Sequence, residues 1–167
     1  MTSKDAVEFY KEMTKLGITI CLDGGWGVDA LLEKQSRPHS DLDITIQQKD
    51  VQRAREFLEE HGYKDVPRGD TTYFNFVLGD DKGHQVDFHV IVFDKNGNGI
   101  YGPKEKGIMY PAASLKGTGV IDGHEVKCIS PEYMIKFHTG YTLREVDFID
   151  VRALCKKFKL DPPQEYR

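Results

Sequence analysis

The sequence predicts a single α/β domain over residues 1–167, with a mixed, mostly antiparallel sheet flanked by helices and a helical tail at 130–160. Three observations support this prediction. Short stretches with apolar residues at every second position, typical of strands, alternate with stretches of helical period. The chain is 39% apolar and 30% charged, as expected for one globular domain of this length. It also contains no internal repeat that would indicate a solenoid.

The first half of the chain alternates helices with strands. Apolar residues spaced as on one face of a helix run from Asp5 to Leu16, and Gly17 ends this helix. The elements predicted next are a strand at 18–22, a helix at "WGVDALLEK", a strand at 41–46 and a helix that Asp50 caps and His61-Gly62 closes.

The second half begins with two more strands, near 72–78 and 84–93, joined by the turn-rich "GDDKG". Residues 94–116 form a Gly- and Pro-rich excursion, and "GVIDGHEVKCI" predicts a hairpin around an Asp-Gly turn. Ser130 and Pro131 then open a helix, and the last helix is expected from about Thr142.

The composition argues against nucleic-acid binding and against a membrane protein. The chain has 23 basic and 27 acidic residues, and the basic ones form no stripe that could follow a nucleic-acid backbone. No apolar run reaches the roughly 18 residues of a membrane span, and the N-terminus lacks a secretory signal, so a cytoplasmic protein without a membrane partner is expected. Cys21, Cys128 and Cys155 show no metal-binding spacing and are expected to be buried thiols.

Acidic residues share one face of two predicted strands. In "HSDLDITI" the period of two places Asp41, Asp43 and Thr45 on one face, and in the strand 84–93 it places Asp87 and His89 together. Two carboxylates about 4 Å apart repel by roughly 4 kcal/mol at an effective dielectric constant near 20, so a cation between them is expected. Three carboxylates are ligands that suit Mg²⁺.

A doubled glycine precedes these acids. The strand ending in "LD" runs into Gly24-Gly25, and a helix follows at once, so backbone N–H groups and the positive end of the helix dipole can face an anion. Arg37 and His39 lie just ahead of the acids and could meet phosphate oxygens. The 15 residues from Trp26 to Ser40 are enough for a short helix and a loop that returns to the glycines.

These motifs resemble those of a known enzyme family. "LDGGWGVDALLEK" followed by "RPHSDLDI" is similar to the nucleotidyltransferase signature of the DNA polymerase β-like superfamily, and more closely to that of the small lincosamide nucleotidyltransferases and their aminoglycoside 2″-adenylyltransferase relatives. "VDFHVI" resembles the family's third-carboxylate strand, and "CISPEYMIKFHTGY" with "DFIDVRAL" resembles its C-terminal helices. Gly25 departs from the wider superfamily, in which many members carry serine.

The resemblance implies a nucleotidyltransferase (polymerase β-like) fold and transfer of AMP from ATP to a hydroxyl of a small antibiotic, a lincosamide first and an aminoglycoside second. It implies two Mg²⁺ ions, with Asp87 either a metal ligand or the base. The implied site residues are Asp41, Asp43 and Asp87 for metal binding and catalysis, and Gly24, Gly25, Arg37 and His39 for the nucleotide.

The sequence gives fewer indications of which residues bind the acceptor molecule. His89, His138 and Tyr141 are candidates to border the acceptor, whereas Trp26 is expected in the core. A polycationic aminoglycoside would need several acids, for which Glu145, Asp147 and Asp150 are candidates. Because the chain is short for enclosing a drug-sized acceptor, a homodimer whose partner helps to wall the pocket is expected.

Two alternatives from other classes remain open at this point. One is a catalytically silent nucleotidyltransferase-fold member of a toxin–antitoxin pair. The other is a calcium-binding module, because "DKNGNGIYGPKE" at 94–105 matches the pattern D-x-N-x-N-G-x₅-E. Its flanks are not helical and Pro103 interrupts it, so a plain surface loop is predicted instead.

Overall fold

The computed structural model, which describes residues 1–167, contains one nine-stranded mixed sheet and five α-helices. The helices are α1 (Ser3–Lys15), α2 (Gly24–Leu32), α3 (Gln48–Glu60), α4 (Pro131–Phe137) and α5 (Glu145–Phe158). The strands are β1 (Ile20–Leu22), β2 (Asp41–Gln47), β3 (Lys64–Asp65), β4 (Asn75–Gly79), β5 (Gln85–Phe93), β6 (Gly99–Tyr101), β7 (Ile108–Tyr110), β8 (Gly117–Ile121) and β9 (His124–Cys128).

The strand order is β3-β4-β5-β2-β1-β9-β8, and β6 and β7 extend the sheet beside the end of β5. Strand β2 runs parallel to β5 and β1 runs parallel to β9, while every other pair is antiparallel. The predicted mixed, mostly antiparallel sheet is therefore confirmed. Its central pair, β2 with β5, carries the acids.

The core explains why these two strands keep their register. Leu42 and Ile44 of β2 and Val86 and Phe88 of β5 are fully buried in a cluster of 34 apolar residues. A slip of one residue would turn the apolar set toward the site and the acids into the core, so burial fixes which face carries the carboxylates.

The helix beginnings differ from the sequence prediction. Helix α2 begins at Gly24, so the two glycines form its first turn instead of a separate bend, and Asp23 caps it by accepting from the Gly24 N–H at 2.9 Å. Helix α3 begins at Gln48, and Asp50 lies within its first turn, where it pairs with Arg53.

Helix α5 begins at Glu145 instead of Thr142. The reason is a capping interaction in which the Asp147 carboxylate accepts from the Arg144 backbone N–H at 2.7 Å. The hairpin β8–β9 and the helix opened by Ser130 and Pro131 lie where they were predicted.

The calcium-like segment forms a hairpin turn. Asp94 accepts from the backbone N–H groups of Asn96 and Asn98 at 2.8 and 2.9 Å, and Phe93 pairs with Gly99 across β5 and β6. The second half of the pattern is thus strand β6 and its following turn, not a calcium loop. The predicted surface loop fits this geometry, although it contains strands that the sequence did not indicate.

Three further expectations can be compared directly. All three cysteines are free and buried. Trp26 is 1% exposed and packs in the core, as predicted. None of the helices combines the length and apolar character needed to cross a bilayer.

Candidate active site

The predicted carboxylates lie on the two parallel central strands. Asp43 of β2 is directly opposite Asp87 of β5, and Asp41 is opposite Gln85. Because residues two apart on a strand project from the same face, Asp41 and Asp43 share the face on which Asp87 meets Asp43. The structure thus brings Asp87 beside Asp43, with Asp41 one pleat away.

The electrostatics of this group show an excess of negative charge. Burial raises the pKa of Asp43 to about 7, and the carboxylates of Asp41, Asp23 and Asp87 add to this effect, while His89 opposes it. Burial also raises the pKa of Asp87, against the influence of His89 and Arg68. A divalent cation would relieve both effects, so the donor set fits a metal ion.

Asp87 has one oxygen engaged and one without a partner. Arg68, in the loop between β3 and β4, donates to Asp87 Oδ2 at 2.9 Å and to Gln85 Oε1 at 2.9 Å. Asp87 Oδ1 is buried and has no hydrogen-bond partner. Arg68 therefore fixes the carboxylate and leaves Oδ1 as a donor atom for a ligand.

His89 lies between two carboxylates. Its Nδ1 is 3.7 Å from Asp23 Oδ2, and its Nε2 is 3.7 Å from Asp87 Oδ1. Burial alone would lower the pKa of His89, but Asp23, Asp43 and Asp87 outweigh this and raise it to about 9. Asp23 itself caps α2, so the histidine is linked to the beginning of that helix.

The first turn of α2 packs directly on the acids. Gly24 has φ +53°, and a Cβ there would lie 2.1 Å from Asp43 Oδ2. A Cβ on Gly25 would lie 2.3 Å from His39 Nδ1 and 3.0 Å from an Arg37 nitrogen. A side chain at either position would therefore displace the neighbouring groups, and glycine avoids this.

Arg37 and His39 belong to a buried polar network. His39 is 6% exposed, its Nε2 is 2.5 Å from Asp29 Oδ2, and its Nδ1 is 2.9 Å from Arg37 Nη1. Arg37 also donates to Asp150 Oδ2 of α5 at 3.0 Å. Both ring nitrogens of His39 are therefore engaged by protein groups, whereas Arg37 remains partly exposed. The predicted contact of these two residues with phosphate oxygens stays a prediction.

A cavity of about 490 Å³ opens beside these groups. Nine of the ten predicted site residues line it, His89, His138 and Tyr141 among them; the exception is Asp87, which Arg68 contacts. His138 is held by its Nδ1 at 2.7 Å from the Met134 carbonyl oxygen, and Tyr141 is 46% exposed at the cavity edge.

The structure adds residues that sequence reasoning missed. Asp23, Tyr110 and Arg144 line the cavity, and Arg68 contacts Asp87. Asp23 could have been found, because it immediately precedes the two glycines. Arg68 carried no signal, because its loop contains none of the motifs that predicted the site.

The fold and the carboxylate site define a nucleotidyltransferase. Residues 6–154 match the family described as Aminoglycoside-2''-adenylyltransferase. The chain belongs to this family, and the protein is an adenylyltransferase. The predicted resemblance is confirmed.

Individual relatives agree with this assignment. The chain is 30% identical over 155 residues to a lincosamide resistance protein of Staphylococcus haemolyticus, covering 92% of this chain and 94% of that protein. It is similar to the crystal structure of the lincosamide antibiotic adenylyltransferase LnuA with lincomycin bound, with a TM-score of 0.81, 28% identity and coverage of 92% and 96%.

A more distant structure supports the fold alone. ANT(2'')-Ia in complex with adenylyl-2''-tobramycin superposes with a TM-score of 0.71 at 18% identity, over 93% of this chain and 88% of that one.

Proposed function

We propose that this protein transfers AMP from Mg-ATP to a hydroxyl group of a lincosamide antibiotic. The observation that carries the proposal is the meeting of Asp43 and Asp87 on parallel strands, with Asp41 on the same face, beside the first turn of α2. The similarity to a lincosamide resistance protein and to LnuA supports the acceptor class.

The nucleotide side is supported by the beginning of α2. Helix N-termini bind phosphate groups through free N–H groups and the helix dipole, and here the two glycines of the first turn line the cavity. Arg37, which His39 and Asp150 hold from two sides, supplies a fixed positive charge at the same cavity. We assign His39 to positioning Arg37.

The acids are proposed to hold two Mg²⁺ ions. When bound, such ions neutralise charge on the triphosphate and align the reacting atoms. Asp41, Asp43 and Asp87 supply the carboxylate oxygens. The acceptor hydroxyl oxygen attacks the α-phosphorus in line, pyrophosphate leaves, and the hydroxyl proton passes to a carboxylate of the site.

The charges around the cavity favour a lincosamide over an aminoglycoside. Asp147 and Asp150 are each 1% exposed, and they pair with Arg144 and Arg37 respectively. Two of the three acids available for a polycationic acceptor are therefore already neutralised, and only Glu145 is exposed. An aminoglycoside is the second candidate acceptor, because the matching family is described as Aminoglycoside-2''-adenylyltransferase.

A homodimer is proposed to complete the acceptor pocket. Tyr141 lines the cavity and is 46% exposed, and Ile149 of α5 is 52% exposed. These exposed groups, one at the cavity and one on α5, suit contact with a second copy of the chain.

The test is incubation of the protein with ATP, Mg²⁺ and either lincomycin or tobramycin, followed by mass spectrometry of the antibiotic. We expect lincomycin to gain one AMP, with release of pyrophosphate. A reaction in which an ATP analogue with a non-cleavable α,β bond replaces ATP is the control. Adenylylation of tobramycin alone would favour the second candidate, and modification of neither would refute both.

A further inference from the structure

The imidazole of His89 shares its site with two of the carboxylates. One donor atom each from Asp43, Asp87 and His89 can be chosen so that all three lie within 4.8 Å of one another. Two ligand atoms of one ion lie roughly 3.0 to 3.5 Å apart, for metal–ligand bonds of about 2.1 Å at octahedral or tetrahedral angles. The 3.7 Å between His89 Nε2 and Asp87 Oδ1 is close to that separation.

One proposed ligand atom of this group has no hydrogen-bond partner in the protein. Asp87 is 9% exposed, and its Oδ1 is buried with no hydrogen-bond partner. Arg68 takes the other oxygen, Oδ2. An unpaired buried carboxylate oxygen costs free energy, so its persistence beside an imidazole nitrogen indicates a ligand between them.

We propose that His89 Nε2 is a nitrogen ligand of the metal ion that Asp43 and Asp87 hold, so that this position also takes a divalent first-row transition metal ion such as Mn²⁺. This inference rests on the proposed function in one respect, the role of Asp43 and Asp87 as metal ligands. Mg²⁺ takes oxygen ligands, whereas imidazole suits transition metals, so the nitrogen donor allows these ions to bind as well.

Asp23 faces the imidazole nitrogen opposite to the one that faces Asp87. Its Oδ2 lies 3.7 Å from His89 Nδ1, which leaves Nε2 on the side of Asp87. Asp23 is itself fixed by the Gly24 N–H at 2.9 Å and the Tyr110 hydroxyl at 3.4 Å. A carboxylate behind a histidine sets the ring orientation and the nitrogen that faces the metal.

The alternative is that His89 serves only as a counter-charge to the surrounding acids. In that case a bound ion would have oxygen ligands alone, and the imidazole would stay outside its coordination shell. The two arrangements differ in one observable, which is a nitrogen atom bonded to the metal.

The experiment adds Mn²⁺ to the nucleotide-free protein and records pulsed electron paramagnetic resonance. We expect modulation from a directly bound ¹⁴N, which changes to the ¹⁵N pattern when the protein carries ¹⁵N-labelled histidine. This spectrum needs no variant and no turnover, so it separates the metal site from failure of AMP transfer. A spectrum without histidine nitrogen would overturn the proposal.

Variants then identify the histidine. His89→Gln is expected to remove the nitrogen signal and to weaken Mn²⁺ binding at least about tenfold, with less than a twofold change for Mg²⁺. His84→Gln is the matched control, because His84 also pairs with carboxylates, those of Asp80 and Asp5, away from the site. A nitrogen signal that persists in His89→Gln would contradict the assignment.

Discussion

At the scale of single residues, the site depends on how closely backbone and side chains approach. Gly25 contacts the His39 ring, and His39 in turn holds Arg37 at the cavity. A glycine pair after a strand is a plain turn in most proteins, but this pair could be recognised because Asp-Leu-Asp follows it on a predicted strand. The packing of His39 against Gly25 could not, since it depends on the Asp29 and Arg37 contacts that form only in the folded chain.

The first prediction concerns Gly25→Ala. The new Cβ would lie 2.3 Å from His39 Nδ1, so His39 and Arg37 must move. We expect weaker ATP binding, measured by titration calorimetry, and a loss of about 1–3 kcal/mol in the free energy of unfolding. Gly69→Ala is the control, because nothing lies within 4 Å of a Cβ there. Equal ATP affinity in the two variants would contradict this account of the glycine.

The second prediction concerns Arg68→Ala. Asp87 would lose its 2.9 Å contact and its fixed orientation, so turnover should fall about 10- to 100-fold, with little change in the melting temperature. Steady-state kinetics measure this. Arg152→Ala, at an exposed arginine of α5, should leave turnover unchanged. An unaffected Arg68→Ala enzyme would show that Asp87 needs no such support.

At the scale of elements, α5 contributes more to the site than its terminal position suggests. It supplies Asp150 to Arg37, and its beginning is capped by Asp147. Strands β2 and β5 could be predicted from alternation, but their pairing could not. Strands β6 and β7 could not be predicted, because each is only three residues long and pairs across a loop whose glycines and proline favour turns.

The third prediction uses the charge of Asp147. Although burial opposes it, hydrogen bonds from Arg144 lower the pKa of Asp147. A lowered pKa in the folded state stabilises the protein above the ordinary aspartate pKa of about 3.9, and this stabilisation is lost as the pH falls through the folded-state value. Asp147→Asn should therefore reduce the free energy of unfolding by about 1 kcal/mol at pH 7.

Urea unfolding at several pH values measures this difference. It should stay constant between about pH 7 and 5 and shrink below about pH 4, where wild-type Asp147 also loses its charge. Asp161→Asn, at an exposed acid beyond the end of α5, is the control and should change stability little. A difference that grows toward low pH would have the wrong sign for this explanation.

At the scale of the whole molecule, the sheet brings together groups that are far apart in sequence. Asp43 and Asp87 were predicted to meet because both strands alternate, and the parallel pairing of β2 and β5 achieves this. Three further residues reach the site from other elements. Asp23 caps α2, Arg68 lies in the loop between β3 and β4, and Arg144 caps α5. Their convergence follows from tertiary packing, which no local pattern in the sequence encodes.

The fourth prediction is that the 19.1 kDa chain sediments as a homodimer. Ile149→Asp should shift it toward monomer and weaken acceptor binding, because a charge would replace an apolar side chain that is 52% exposed on α5, the helix proposed to contact the second copy. Ile108→Asp, at an exposed position on β7, should leave the dimer intact. A strictly monomeric enzyme with full activity would contradict the shared pocket.

The most direct test of the central claim is AMP transfer by Asp43→Asn, measured as pyrophosphate release with lincomycin and Mg-ATP. The substitution keeps the shape of the side chain and removes one charged ligand at the centre of the acids. We predict that turnover falls at least about a thousandfold while the circular dichroism spectrum and the melting transition show a folded protein. Turnover close to that of the wild type would contradict the carboxylate site as the seat of catalysis.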